Sequence, residues 1–180
     1  MPSPRGAARS ATSPEANPAP ETREELIKIL FDFFYPVHYK AGAILESTLS
    51  RGLLTRKQFA VLWIIHSFGN GQGALPRKRL EIELAHSLEL ASPAVSKVLK
   101  ELSAPALDLV QVRISDNSAR EKVVLLTAKG IRFLEESNEA GIRQLTEMLA
   151  GMSLATMRNG IPYLDEIAQR FGALREREVD

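Results

Sequence analysis

Between residues 92 and 126 the hydrophobic period of the chain changes from helical to two, and few folds accommodate that change in so short a span. Ser92-Pro93 is a helix start, with serine at the cap and proline at the first helical position. Val95, Val98, Leu99 and Leu102 then fall on one side of a helix ending at Leu102. Ala94, Ser96, Lys97, Lys100 and Glu101 lie off that stripe. From Leu109 onward, Leu109, Gln111 and Arg113 alternate with Val110, Val112 and Ile114. Ser115-Asp116-Asn117-Ser118 is turn chemistry, and Glu121 to Leu126 reads as a return strand. A helix followed by a hairpin is the consequence.

The flanking segments are helical. Thr55 and Gln58 have capping-box spacing, and the run Phe59 to Ile65 is apolar on nearly all sides. It is therefore expected to be buried on nearly all sides, as the central post of the domain. The loop Gly69-Asn70-Gly71-Gln72-Gly73 ends it, and Pro76 opens a shorter helix to about His86 with Leu80, Ile82 and Leu84 for burial. Upstream, Leu26, Ile27, Leu30, Phe31, Phe33 and Phe34 recur at helical spacing from Glu21, Pro36 is expected to end or kink that helix, and a second stretch covers 37–49. Downstream, Thr127 caps a helix to about Ala150 with Ile131, Leu134, Ile142, Leu145 and Leu149 on one line. Asn138 shares that line, as a register-fixing polar residue or a solvent-facing break. A last helix, Ser153 to about Gly172, carries Met157, Ile161, Leu164, Ile167, Phe171 and Leu174, with Pro162 expected to kink it. Residues 1–20 hold five of the ten prolines and read as a disordered tail; Arg5 and Arg9 give it the alternative reading of a DNA-reaching arm. The fold class is mainly α with a small β-hairpin: a winged helix-turn-helix flanked by helices.

Charge points to a function only when read locally. The 180 residues carry a net charge of +1, so the overall balance says little about partners. Residues 77–100 hold five basic side chains (Arg77, Lys78, Arg79, Lys97, Lys100) against three acidic, and 111–132 hold five against two. Residues 141–180 hold five against six. Basicity thus concentrates where the pattern places the helix and hairpin, which is what a duplex-DNA reader requires. On such a helix Ser92, Ala94 and Ser96 permit close approach, while Lys97 and Lys100 reach phosphate or guanine. Arg113 and Arg120 near the hairpin tip suit the minor groove. Arg77, Lys78 and Arg79 are candidates for backbone phosphates, or serve only solubility at a helix start.

Other chemistries find no support. The absence of cysteine excludes disulfides, thiolate metal sites and a cysteine nucleophile. His38, His66 and His86 lack partners at ligand spacing, so no metal is expected. The Gly69-x-Gly71-x-Gly73 loop follows a helix and lacks the lysine of a phosphate loop. No nucleophile–base pair stands out, so neither an enzyme nor a cofactor is expected. No apolar run is long enough for a membrane span or signal, which makes a cytoplasmic location the expectation.

The residues resemble a known family. Gly52 to Leu62 (GLLTRKQFAVL) is similar to the entry into the second helix of the multiple-antibiotic-resistance-regulator (MarR) family, and Leu90 to Leu102 (LASPAVSKVLKEL) to its recognition helix. Leu109-Val110 and Leu126-Thr127-Ala128-Lys129-Gly130 resemble its wing entrance and exit. The resemblance spans about residues 25–175. It implies a homodimer with interlocked terminal helices, bound to a pseudo-palindromic double-stranded operator as a transcriptional regulator, with repression as the expected sense. It divides the chain into a tail (1–20), dimerisation helices (21–50), a DNA-binding region (51–130) and further dimerisation helices (131–180). It also implies a small phenolic or anionic effector, for which Tyr35, His38, Tyr39, Phe59, Trp63 and His66 are candidates; an aromatic stripe at this spacing also serves as plain core. The wing departs from the family: an Asp-x-Arg triplet becomes Ser118-Ala119-Arg120, leaving Asp116 as the nearby acid, and a frequent arginine of the first wing strand is Val112. The alternative function is a dimeric helical interaction module whose degenerate winged helix does not bind DNA.

Overall fold

The computed structural model of the protein describes residues 22–69, 74–115 and 118–177. Arg5 and Arg9 of the tail, the centre of the glycine loop and Asp116 lie outside the described residues. The chain forms two units, divided between Lys40 and Ala41.

In the first unit, helix α1 (Arg23–Asp32) starts at a capping box in which Thr22 and Glu25 satisfy each other's backbone N–H groups. Pro36 follows in a π-helical segment, Tyr35–Ala41. The helix thus stops short of the proline, as expected from the lost donor and the ring clash.

The second unit contains α2 (Gly42–Ser50), α3 (Arg56–Phe68), β1 (Ala74–Pro76), α4 (Arg77–Leu88), α5 (Ser92–Leu102), β2 (Val110–Ser115), β3 (Ser118–Leu126), α6 (Ala128–Met148) and α7 (Leu154–Arg177). The three strands form an antiparallel sheet in the order β1-β3-β2. This is a winged helix-turn-helix: α4 and α5 form the helix pair, and β2 and β3 the wing. β1 is too short to show any alternation in sequence and was not anticipated. Its Pro76 closes an edge strand, the one place in a sheet where a missing donor is tolerated.

The core gathers Val61, Leu62, Ile64 and Ile65 of α3, Leu80 and Leu84 of α4, and Val95, Val98, Leu99 and Leu102 of α5 against Leu75, Val110, Val124 and Leu126 of the sheet. Two expectations need correction. Trp63 is 42% exposed, so α3 is not buried all round. Ile82 of α4 is exposed as well. On α6, Leu134 of the apolar line is buried within the chain together with Gly130, Phe133, Ser137 and Gly141, while Ile131, Ile142, Leu145 and Leu149 are exposed. Within this face, Gly141 allows α2 to approach closely. A Cβ on Gly141 would stand 2.7 Å from Leu49 Cδ2. Asn138 lies on the exposed side.

The wing joins α6 through a compact junction. Thr127 caps α6 by accepting from Gly130 N (3.0 Å), and its hydroxyl donates to the Asp108 carbonyl (2.7 Å). The Thr127 amide donates to the Leu109 carbonyl. A Cβ on Gly130 would fall 2.1 Å from that same Leu109 oxygen, which is backbone and cannot swing away. Gly130→Ala is therefore expected to destabilise the fold by about 2–4 kcal/mol, outweighing any gain in helix propensity. Urea unfolding measures this, and a midpoint at or above wild type would refute the close approach.

Candidate nucleic-acid interface

The geometry of the α4–α5 pair follows from two kinds of contact. The apolar stripe of α5 is wholly buried, and the helix packs on both α3 and α4. Polar bonds then hold each end. At the C-terminal end, Gln58 Nε2 donates to Glu101 Oε2 (3.0 Å). The same side chain completes the Thr55–Gln58 capping box of α3, so one residue both starts α3 and steadies α5.

At the N-terminal end, Arg77 Nε donates to Glu81 Oε1 (2.9 Å), and Arg77 Nη2 donates to Ser96 Oγ (2.7 Å). Ser92 Oγ donates to the same Glu81 oxygen (3.0 Å), and Ser96 Oγ donates to the Ser92 carbonyl (3.0 Å). The N-cap of α5 is Ala91, which provides no side-chain bond; Ser92 and Pro93 are the first two helical residues. The expected serine cap is thus shifted by one residue, because the Ser92 hydroxyl is engaged by Glu81 instead.

The outward face of α5 differs from expectation at Ala94, which packs against the core. Ser92, Ser96, Lys97 and Lys100 are exposed and Ala94 is half-buried. A cleft of about 530 Å³ lies between the start of α4 and the wing, lined by Arg77, Lys78, Glu81, Arg120, Glu121 and Lys122. It brings Arg77 and Lys78 together with Arg120, residues 43 and 42 positions away in sequence. Lys122 and Glu121 were not singled out beforehand. Their signal, a cation and an acid just beyond the wing arginine, is meaningful only once β3 is folded beside α4. Arg113 is exposed on β2 opposite Val123 and does not line the cleft. Arg79 is directed elsewhere, paired with Glu83 (2.8 Å) and over the Phe68 ring (5.7 Å).

The aromatic candidates form two clusters, one in each unit. His38 stacks on Phe34 (5.0 Å) and meets Tyr39 edge-on, and Tyr35 lies 5.8 Å from Tyr39. In the second unit, Trp63 lies 6.0 Å from Phe59 and 6.3 Å from His66. Among the described residues no group of His, Asp and Glu could hold a metal ion, and no helix is long and apolar enough to cross a membrane.

No protein-family model and no curated sequence matches the chain. Solved structures do. A MarR family protein from Bacillus stearothermophilus superposes with a TM-score of 0.69 at 18% identity, covering 84% of this chain and 99% of that one. A mutant of MepR from S. aureus, bound to an oligodeoxyribonucleotide, gives 0.52 at 16% identity over 83% and 98%. BpsR of Bordetella bronchiseptica, whose DNA binding is regulated by 6-hydroxynicotinic acid, gives 0.53 at 22% identity over 79% and 98%. The chain has the winged helix-turn-helix fold of MarR-family proteins.

Gln58→Ala removes one half of the α3 capping box and the partner of Glu101. Its expected cost is about 1–2 kcal/mol in urea unfolding, and an unchanged midpoint would show that the polar link at this end of α5 contributes nothing.

Proposed function

We propose that the protein is a dimeric, sequence-specific DNA-binding transcriptional regulator, acting as a repressor at a pseudo-palindromic operator. The observation that carries this reading is the division of α5 into a wholly buried apolar stripe and an exposed face bearing Lys97 and Lys100. Beside it, the cleft collects Arg77, Lys78, Arg120 and Lys122. Ser92, Ala94, Ser96, Lys97 and Lys100 face the major groove, and Arg113 and Arg120 follow the wing to the adjacent minor groove. Lys78 and Lys122 sit at backbone phosphates; Arg77 is shared between the DNA face and its bonds to Glu81 and Ser96. Arg79, which pairs with Glu83 and does not line the cleft, is assigned to a more peripheral backbone phosphate. The bound oligodeoxyribonucleotide of the MepR mutant supports the reading.

A second copy of the chain is the proposed occupant of the apolar surface on α7. Ile161 is 65% and Leu164 63% exposed, one turn apart on a long helix. Pairing with the partner's helices removes this surface from water at about 25 cal/mol per Å². A dimer also sets two α5 helices about one turn of duplex apart. A small phenolic or anionic effector that lowers operator affinity is the proposed regulator, with Tyr35, His38, Tyr39, Phe59, Trp63 and His66 as the residues to probe. The response of BpsR to 6-hydroxynicotinic acid supports that choice. Effector action requires unequal affinity for two arrangements of the α5 helices.

Salt titration of duplex binding tests the main reading. The wild-type chain is expected to lose affinity with a steep slope in log salt, about 0.9 per phosphate neutralised. Lys97→Ala combined with Arg120→Ala should abolish operator binding while the protein stays folded and dimeric. Absence of duplex binding by wild type at low salt would overturn the reading and favour an interaction module. For the dimer, Ile161→Asp with Leu164→Asp should give a folded monomer in analytical ultracentrifugation; an unchanged dimer would place the interface elsewhere.

A further inference from the structure

We infer that Glu81 fixes the hydrogen-bonding polarity of Ser92, making this hydroxyl a reader of base amino groups, adenine N6 or cytosine N4. The inference rests on the DNA-reading role proposed above and concerns what that face selects. A carboxylate can only accept, so the 3.0 Å contact between Ser92 Oγ and Glu81 Oε1 uses the single hydrogen of the serine. What Ser92 can offer outward is lone pairs. Glu81 is itself held in place, since the same oxygen accepts from Arg77 Nε at 2.9 Å. With a side chain only 28% exposed, it is partly shielded from water that would compete for its bonds. Its negative charge also lies beside the first turn of α5, where the helix dipole favours an anion.

The other arm of Arg77 extends the same polarity to the next turn. Its Nη2 donates to Ser96 Oγ, whose own hydrogen is directed to the Ser92 carbonyl. Both serines on the exposed side of α5 therefore send their hydrogens inward. Guanine N7 and O6 and thymine O4 are acceptors and gain nothing from such a surface; adenine N6 and cytosine N4 are donors and do. On the strand that Ser92 touches, the expected preference is adenine or cytosine over guanine or thymine. Glu81 and Arg77 are positioning residues in this scheme, acting on the base only through serine.

Selection from a randomised duplex library, with binding measured position by position, tests this. Ser92→Ala identifies the positions that depend on the hydroxyl. At those positions the wild type is expected to prefer adenine or cytosine by about 3- to 10-fold, the worth of one neutral hydrogen bond. Glu81→Gln, which can donate as well as accept, should flatten that preference towards unity while the base preferences at positions independent of Ser92 persist, whatever the overall affinity does when Arg77 loses its ion pair. A merely structural role for Glu81 would weaken the preferences at all positions together, and that result overturns the inference. So does a Ser92-dependent preference for guanine or thymine, or the absence of any Ser92-dependent position in a protein that binds duplex. If Glu81→Gln does not fold, the wild-type protein is used with a duplex in which the contacted adenine or cytosine is replaced by the corresponding base lacking its exocyclic amine. The same 3- to 10-fold loss is expected, and no loss contradicts the inference. Failure of the wild type to bind any duplex at low salt would overturn the DNA reading itself, and this inference with it.

Discussion

The burial of Val95, Val98, Leu99 and Leu102 is the constraint on which the rest of the structure depends. Four side chains of this size contribute on the order of 6–12 kcal/mol when removed from water, an upper estimate because the unfolded chain is not fully extended. The polar links at the two ends of α5 are each worth about 1 kcal/mol, somewhat more where the Glu81 carboxylate takes part. The apolar stripe therefore decides that α5 docks on α3 and α4, and the polar bonds decide how it is oriented once docked. Ser92, Ser96, Lys97 and Lys100, proposed to meet DNA, lie on the side of α5 that this docking leaves exposed.

The same logic explains why α4 carries charge where it does. Arg77 and Glu81 are one turn apart and pair with each other, yet both also bond to α5. An isolated surface pair of this kind would add little. Here the pair is half-buried and shared by two helices, so its contribution is geometric. The wing approaches the same region, and its Arg120 and Lys122 raise the positive potential of the cleft beyond what either element supplies alone.

Much of this was legible in the sequence because the relevant signals are local. The α5 stripe, the Thr55 and Thr127 caps and the change to a period of two specify their elements within a few residues. What was not legible depends on pairing between distant segments. β1 is three residues long and exists only because β3 is there to pair with it. On α6, Gly130, Ser137 and Gly141 share the buried face with Phe133 and Leu134, and the value of small residues there depends on the approach of the distant α2 and Leu109, which no local pattern marks. Trp63 sits in a run whose uniform apolarity conceals that one side is exposed. At the site, the exposed face of α5 could be named in advance, whereas the diversion of Ser92 from cap to Glu81 partner required knowing where α4 ends up. The departure of the wing from the family's acid–arginine pattern remains at Ser118, with Arg120 placed at the cleft.

In the proposed complex two copies of α5, held by their buried stripes, enter successive major grooves. Footprinting of a library-selected duplex by hydroxyl radical and by guanine-methylation interference tests it most directly. Two symmetric patches of major-groove interference about 10 base pairs apart are expected, flanked by minor-groove protection from the wings. A single patch, or protection confined to the backbone with no interference in the major groove, would contradict it.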